Sequence, residues 1–233
     1  MEHPVQGRRA FRRGRICTRP YATQFSGVEI NSSFYRSHRA ATWERWRQSV
    51  PASFRFAVKL PKAISHERRL VCCDDLVARF LDEVAGLGDK LGSLLLQLPP
   101  SFAFDADVVA PFLADIRARC SSALACEPRH PSWFEAEAEA LLIDFEVARV
   151  AADPALVPAA ALPGGWPGLR YWRLHGSPRI YRSSYDDERL DAYAERLTET
   201  AKTGSQAWCI FDDTAGSAAT GDALALKERL SAT

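Results

Sequence analysis

Short apolar runs of strand length alternate with amphipathic segments of helix length along this chain, at intervals of about 30 residues. Residues 54–60 alternate apolar and polar side chains with a period of two, which is typical of a strand. Residues 74–90 place apolar side chains three and four positions apart, the pattern of a helix packed on a sheet. No hairpin signals separate the strand-like runs, so the strands are expected to be parallel.

This alternation predicts an α/β fold of the TIM type, a (β/α)8 barrel. The 233 residues suit one such domain. A doubly wound open sheet is the competing architecture, although no glycine-rich phosphate turn follows the first strand. Only seven strands are convincing, and residues 15–18 would have to supply the eighth. The barrel is therefore predicted to be incomplete or open at its N-terminal strand.

The N-terminal segment differs from the rest of the chain in charge. Residues 1–20 contain six arginines and a single acid, Glu2, whereas the whole chain has a formal net charge of +1. We predict an Arg-rich, poorly ordered or degenerate segment over residues 1–19 and one βα-barrel domain over residues 20–233. Because the remainder is acidic on balance, a nucleic-acid partner is not expected; binding through the Arg-rich segment is the alternative.

The sequence indicates a cytoplasmic protein without a membrane partner. No apolar run reaches the ~18 residues that would span a bilayer, and the N-terminus lacks the apolar core of a secretory signal. The six cysteines include no CxxC pair, so we expect reduced thiols that serve packing. The sequence does not specify an oligomeric state.

Two local patterns lead to more specific structural predictions. Residues 147–153 form an apolar run that ends in an acid, and this predicts one continuous strand. The segment Ser132-Trp133-Phe134-Glu135 matches a helix capping box, which predicts a helix beginning at Ser132.

Polar or charged residues stand where nearly every predicted strand ends. Barrel enzymes carry their chemistry at the carboxyl ends of the strands, so we expect a site for a small-molecule ligand there. Carboxylates and imidazoles are the side chains that most often transfer protons in catalysis. The candidate catalytic residues are Glu29, Glu127, Asp153 and His175. The alternative is that these charges only pair with one another as a structural network.

The same strand ends supply candidate ligand-binding residues. Lys59, Arg129 and Arg173 carry the positive charge that phosphate or carboxylate groups require. The full set of candidates is Asn31, Tyr35, Lys59, His66, Gln97, Arg129, His130, Arg173 and Asp213.

No cofactor is required by any motif in the sequence. His66, His130 and His175 are the histidines available to join the acids as ligands of a divalent metal, but they show no HxH or HExxH spacing. Metal ligands are therefore not assigned. A serine nucleophile is not indicated either, since GxSxG is absent.

An ordered series of short motifs runs from about residue 20 to the C-terminus. The motifs are VEINSSFYR (28–36), FRFAVK (54–59) with Pro61 and His66, LQLPP (96–100), EPRHPSW (127–133), AD (152–153), YWRLHG (171–176) and FDDT (211–214) with Gly216 and Ala218. This series resembles the signature of the YecE-like family, also called domain of unknown function 72. The resemblance implies a TIM-type barrel and does not imply a particular reaction.

Two departures from the family pattern are visible. Family members usually begin with a strand and a Gly-Thr-Ser-Gly-Trp-type turn, and residues 1–19 contain nothing similar. Acids replace the asparagines that are common in the family at the last strand's turn, where this chain has Asp212-Asp213, and again at Asp222.

The sequence as a whole predicts a barrel protein that binds a small anionic or polyhydroxylated ligand at the barrel mouth. Its acids and bases would suit hydrolase or lyase chemistry. The alternative is a non-catalytic binding or scaffold protein with a degenerate barrel.

Overall fold

The computed structural model describes residues 21–232, except for the side chain of Thr214. The predicted Arg-rich segment 1–19 lies outside the described residues. The strands are β1 Gly27–Ile30, β2 Arg55–Lys59, β3 Leu91–Gln97, β4 Ala123–Glu127, β5 Val147–Arg149, β6 Ala151–Asp153, β7 Gly164–Gly165, β8 Leu169–Leu174 and β9 Gln206–Phe211.

Helices follow most of the strands. The longest is α6, with 16 residues. None of the helices between residues 21 and 232 is long and apolar enough to cross a membrane. The α-helices are α1 Ser32–Tyr35, α2 Ala40–Gln48, α3 Asp74–Val84, α4 Ala106–Arg119, α5 Ala136–Asp144, α6 Asp187–Lys202 and α7 Ala219–Ser231. Shorter 3-10 or π-helical segments are Ala63–Glu67, Ala85–Lys90, Pro131–Phe134, Pro158–Ala161 and Thr214–Gly216.

The strands form two sheets. One has the order β1-β2-β3-β4-β5-β7 and the other the order β6-β8-β9. All neighbouring strands are parallel except the short pair β5–β7, which is antiparallel. The predicted mixed α/β fold with a parallel sheet is therefore confirmed.

Side chains from both sheets meet in a shared interior. Successive residues of a strand point to opposite faces, so every second residue contributes to it. Ala57, Leu95 and Ala125 of the first sheet pack in one buried cluster with Tyr171 and Trp208 of the second. The two sheets therefore face each other, and the polar residues that follow in the same register lie at one end of this interior.

The opposite face of the first sheet packs against helices. Phe56 and Val58 of β2 are buried in one cluster with Trp43 and Trp46 of α2 and with Phe80 of α3. Burying each such side chain contributes about 1.5–3 kcal/mol relative to exposure, so this layer is a main source of stability. The predicted alternation of residues 54–60 is confirmed, because Lys59 lies on the other face of β2.

The described strands do not close into a ring. β1 is an edge of the first sheet and β9 an edge of the second, and no hydrogen-bonded pairing joins them within residues 21–232. The two edges nevertheless approach each other closely. A Cβ atom on Gly27 of β1 would lie 2.8 Å from a ring carbon of Trp208 in β9, so only glycine fits there.

The prediction of one continuous strand over residues 147–153 was wrong. The segment is divided into β5 and β6, which belong to different sheets. Val150 separates them, and its N–H donates to the carbonyl oxygen of Cys126 at 2.8 Å. The interruption lets the chain leave β4 and pair with β8, a change of partner that an apolar run does not reveal.

The prediction of a helix beginning at Ser132 was also wrong. Residues Pro131–Phe134 form a 3-10 turn, and α5 begins at Ala136. The hydroxyl of Ser132 accepts a hydrogen bond from the N–H of Phe104 at 2.8 Å. A long-range backbone partner therefore replaces the local cap that the motif predicts.

Candidate functional site

Arg173 of β8 lies at the centre of a buried charged cluster beyond the shared interior. Its side chain is 1% exposed. Nε and Nη2 donate to the two carboxylate oxygens of Glu29, at 3.1 and 2.8 Å. Nη1 donates to Glu127 Oε2 at 2.5 Å, and Nη2 also donates to Asp212 Oδ2 at 2.9 Å. Burial alone would lower the pKa of Arg173, but the carboxylates raise it well above its ordinary value. We call Glu29, Glu127, Arg173 and Asp212 the charged cluster.

The alternation of β8 places its polar residues on the cluster side. Tyr171, Arg173 and His175 are two residues apart and share one face. The hydroxyl of Tyr171 donates to Glu29 Oε2 at 2.7 Å, so Glu29 has donors from two residues of the same strand. Burial and the charge of Glu29 raise the pKa of Tyr171 well above its ordinary value, so the phenol stays protonated as a donor.

Glu127 is held as an anion by donors from several strands. Besides Arg173, it accepts from Gln97 Nε2 at 2.9 Å and from Arg129 Nε at 2.9 Å. Burial disfavours its charged form, but Arg173, His175 and Arg129 together lower the pKa of Glu127 well below its ordinary value. A carboxylate so fully paired orients its neighbours and is a poor proton donor at neutral pH.

His175 lies between two carboxylates of the charged cluster. Its Nδ1 is 3.3 Å from Asp212 Oδ2 and its Nε2 is 3.5 Å from Glu127 Oε1. Both distances are long for a hydrogen bond but short enough for strong charge attraction. Burial lowers the pKa of His175, and the two carboxylates more than offset that effect, so the pKa lies above its ordinary value. This imidazole is suited to proton transfer near neutral pH.

Lys59 ends β2 beside the charged cluster but does not join its ion pairs. Its Nζ lies 4.1 Å from the centre of the Phe34 ring. Burial and the Arg173 guanidinium lower the pKa of Lys59 to about 8 against the attraction of nearby carboxylates. The His66 ring packs edge-on against the Phe34 ring, with the two ring centres 5.0 Å apart. Burial, Lys59 and Arg129 lower the pKa of His66.

Within residues 21–232, the charged cluster makes no hydrogen bond or ion pair with four further predicted site residues, Asp153, Tyr35, His130 and Asp213. Asp153 Oδ2 accepts from the hydroxyl of Tyr193 in α6 at 3.1 Å, on the helix side of β6. Tyr35 is 73% exposed. His130 uses its ring to accept from the N–H of Ser132 at 3.3 Å and so caps a 3-10 turn.

Asp213 is the fourth residue, and it points away from its neighbour Asp212. It is fully buried, and neither of its carboxylate oxygens has a hydrogen-bond donor among residues 21–232. The Asp222 carboxylate of α7 is engaged by Ser184 and by the N–H of Tyr185. Burial raises the pKa of Asp213 to about 7, helped by the neighbouring Asp222 carboxylate.

Asn31 follows β1 directly and lies near the cluster in sequence. Its Oδ1 is buried and has no hydrogen-bond donor among the described residues.

Sequence reasoning omitted Asp212 and Tyr171 from the candidate site. The strand alternation is the signal for both, since Asp212 continues the series Trp208, Ile210 on the interior face of β9.

A metal centre is not indicated by the geometry of the described residues. Between residues 21 and 232, no three His, Cys, Asp or Glu side chains lie close enough together to hold an ion. The carboxylates of Glu29, Glu127 and Asp212 form ion pairs with Arg173 instead.

The family relationship follows from comparison with known proteins. The model of the family described as "Protein of unknown function DUF72" matches residues 12–233. This chain belongs to the DUF72 family. The match begins within the predicted Arg-rich segment, so the family resemblance extends further towards the N-terminus than its motifs indicate.

Similarity in sequence and similarity in structure to known proteins both support the DUF72 assignment. The UPF0759 protein YecE of Escherichia coli is 35% identical over 115 residues, which are 49% of this chain and 42% of YecE. The chain thus spans less than half the length of the curated relative it matches. A DUF72 family protein from Enterococcus faecalis superposes with a TM-score of 0.78 at 23% identity, over 92% of this chain and 93% of that one. A DUF72 protein from Thermotoga maritima gives a TM-score of 0.74 at 23% identity, over 89% and 85%. These structures show a shared fold.

Proposed function

We propose that this DUF72 protein binds a small anionic ligand, such as a phosphorylated or carboxylated polyhydroxyl compound, beside the charged cluster. The state of Lys59 is the observation that carries the proposal. Lys59 as a whole residue is 7% exposed, and its Nζ has no carboxylate within ion-pair distance among residues 21–232, because the neighbouring carboxylates are engaged by Arg173. An unpaired buried charge is costly, and an anionic ligand would supply the missing counter-charge.

Arg129 is the second cation that supports this proposal. Its side chain is 33% exposed, although its Nε and Nη2 contact Glu127. A guanidinium that is anchored by a carboxylate and remains partly exposed is preorganised to bind phosphate or carboxylate. The Nδ1 of His66 lies 2.9 Å from the Ser65 hydroxyl. Burial and the positive charges of Lys59 and Arg129 lower the pKa of His66, so this ring lies near both cations.

We further propose that the two sheets form a TIM-type barrel that is incomplete at its N-terminal side. Two observations support it: the interior shared by both sheets, and the close approach of Gly27 to Trp208 between their edges. In such a barrel the ligand would bind at the carboxyl ends of the strands, where the charged cluster lies.

Acid–base chemistry of the hydrolase or lyase type would pass through His175 in this proposal. Glu29 and Glu127 are engaged by Arg173 and would position it, while Asp153 faces α6. The same full engagement favours the second candidate, a non-catalytic binding protein. The enzyme and the non-catalytic binding protein predict different results for a His175→Gln variant. The variant would bind the ligand in either case, but it would lose turnover only if the protein is an enzyme.

We also propose a cytoplasmic location. Five cysteines of the described region are free thiols, and burial raises the pKa of Cys126 and Cys209, which keeps them unreactive. Free, unreactive thiols are compatible with a reducing compartment.

Thermal unfolding in the presence of inorganic phosphate and of glycerol phosphate tests the anion proposal. Binding to the folded state alone raises the melting temperature with ligand concentration. We expect this rise in the wild-type protein and in Lys62→Met, whose side chain is 49% exposed, and expect its loss in Lys59→Met. Equal shifts in Lys59→Met and wild type, or none in either, would show that the proposal is wrong.

A further inference from the structure

Two buried lysines differ in how their amino groups are accommodated. Lys90 donates to the carbonyl oxygens of Arg47 and Val50, each at 2.7 Å. Among residues 21–232, Lys59 has neither a hydrogen-bond acceptor nor an ion-pair partner, and its Nζ lies over the Phe34 ring. An aromatic face compensates only part of the lost hydration of an ammonium group. The surroundings of Lys59 therefore compensate its charged form less well than water does.

Burial and the charges around Lys59 together have a net effect in the same direction. Burial and the adjacent Arg173 lower the pKa of Lys59 to about 8, against the opposing attraction of Glu127, Glu29 and Asp212. At neutral pH the free-amine fraction is then roughly 200-fold larger than that of an ordinary lysine. The free amine is the form that attacks carbonyl carbon.

Groups suited to amine–carbonyl chemistry lie beside the carboxylates of Glu127 and Asp212, which also act on Lys59. His175, held between Asp212 and Glu127, is a proton donor and acceptor. Arg129 carries the exposed positive charge that would hold the anionic end of a substrate. The three carboxylates of the charged cluster do not trap Lys59 as an ion pair, because Arg173 binds all of them.

We propose that Lys59 is a nucleophile that forms a Schiff base with a small aldehyde or ketone carrying a carboxylate or phosphate group. This inference rests on the proposed function, because the anionic group would bind at the same site. The Nζ lone pair bonds to the carbonyl carbon, the C=O π electrons move to oxygen, and a proton passes from nitrogen to that oxygen. The nitrogen lone pair then forms C=N as the C–O bond breaks, and protonated His175 gives its proton to the departing hydroxyl, which leaves as water.

The resulting iminium ion gives this arrangement a catalytic use. Its positive nitrogen withdraws electrons from the adjacent carbon and stabilises the carbanion left by loss of a proton or by C–C cleavage. That is lyase-type chemistry with the substrate's carbonyl as the reacting group.

Borohydride trapping tests the inference. The full-length protein is incubated with pyruvate or dihydroxyacetone phosphate, reduced with sodium borohydride and digested, and the adduct at each lysine is quantified by mass spectrometry. We expect a secondary amine at Lys59 in amounts about tenfold or more above those at buried Lys90 and exposed Lys62. Acetone, which lacks an anionic group, is expected to label Lys59 less than either anionic probe.

The Lys59→Arg variant separates this inference from the anion proposal. Arginine retains the positive charge but does not form an imine, so this variant should keep the stabilisation by inorganic phosphate and lose the adduct. If the wild-type protein is stabilised by phosphate through Lys59 but Lys59 is labelled no more than Lys62, the Schiff-base inference is wrong and anion binding stands. If both signals are absent, both proposals are wrong.

Discussion

Arg173 and Glu29 lie 144 positions apart in the chain and form a side-by-side pair, with Nε to Oε2 at 3.1 Å and Nη2 to Oε1 at 2.8 Å. Each side chain is 1% exposed. The pair joins β1 of the first sheet to β8 of the second, where no backbone pairing connects those strands. It is therefore a direct side-chain link between the two sheets.

Removing Arg173 should destabilise the fold strongly. Arg173→Met leaves Glu29, Glu127 and Asp212 buried close together without a central cation, and breaking a buried pair in this way costs about 3–5 kcal/mol. Urea denaturation measures the loss. Arg170→Met, on the other face of β8, is the matched control and should change stability by less than about 1 kcal/mol. Adding Glu29→Gln to Arg173→Met should recover part of the lost free energy of unfolding. If the free-energy changes of the two single variants simply add, the pairing is contradicted.

Stability at acid pH should depend on Glu127. Since the folded-state pKa of Glu127 lies well below its ordinary value, its contribution is present above about pH 4.3 and is lost as the pH falls through the folded pKa. Glu127→Gln should lower stability near neutral pH and make the acid loss shallower. Urea denaturation as a function of pH measures both effects. Exposed Glu44→Gln should follow the wild-type curve, and an unchanged acid slope in Glu127→Gln would contradict the prediction.

Replacing Asp213 should stabilise the protein at mildly alkaline pH. Its folded pKa of about 7 lies above the ordinary 3.8, so the folded state binds the extra proton and stability falls as the pH rises between these values. Asp213→Asn removes the penalty and offers an amide donor to Asp222. At ~1.4 kcal/mol per pKa unit, the gain near pH 8 is on the order of 2–4 kcal/mol.

Thermal unfolding across pH measures the effect of Asp213→Asn, and its gain should vanish at about pH 4. Asp82→Asn, at an exposed position of α3, is the matched control and should show no such pH-dependent gain. A gain in Asp213→Asn that is equal at all pH values would point to packing instead of ionisation.

Gly176 should tolerate no side chain. Its φ is +89°, and a Cβ there would lie 2.8 Å from the carbonyl oxygen of Ser183 and 3.1 Å from Asp213 Cβ. Gly176→Ala should therefore cost about 1–3 kcal/mol, through backbone strain and displacement of the following loop. Gly221→Ala in α7, where no heavy atom lies within 4 Å, should instead gain about 0.5–1 kcal/mol. Thermal unfolding of both variants provides the comparison.

Local periodicity was sufficient to predict which face of most strands carries the polar groups. A strand alternates regardless of its neighbours, so the series Tyr171, Arg173, His175 and the opposition of Lys59 to Val58 follow from spacing alone. The same rule would have selected Asp212 in preference to Asp213. The βα alternation was likewise sufficient for the parallel α/β class, because short-range patterns and connection lengths decide it.

Contacts between distant residues were decided only by the tertiary structure. The break at Val150, the position of Asp153 against α6 and the cap formed by His130 all depend on which strand or turn lies alongside, and sequence spacing does not encode that neighbour. The sequence by itself determined that acids and bases would gather beyond the ends of parallel strands. Only the tertiary structure decided that Arg173 binds three of the acids and leaves Lys59 without an ion-pair partner among residues 21–232, because pairing among buried charges depends on distances of a few ångströms between separate strands.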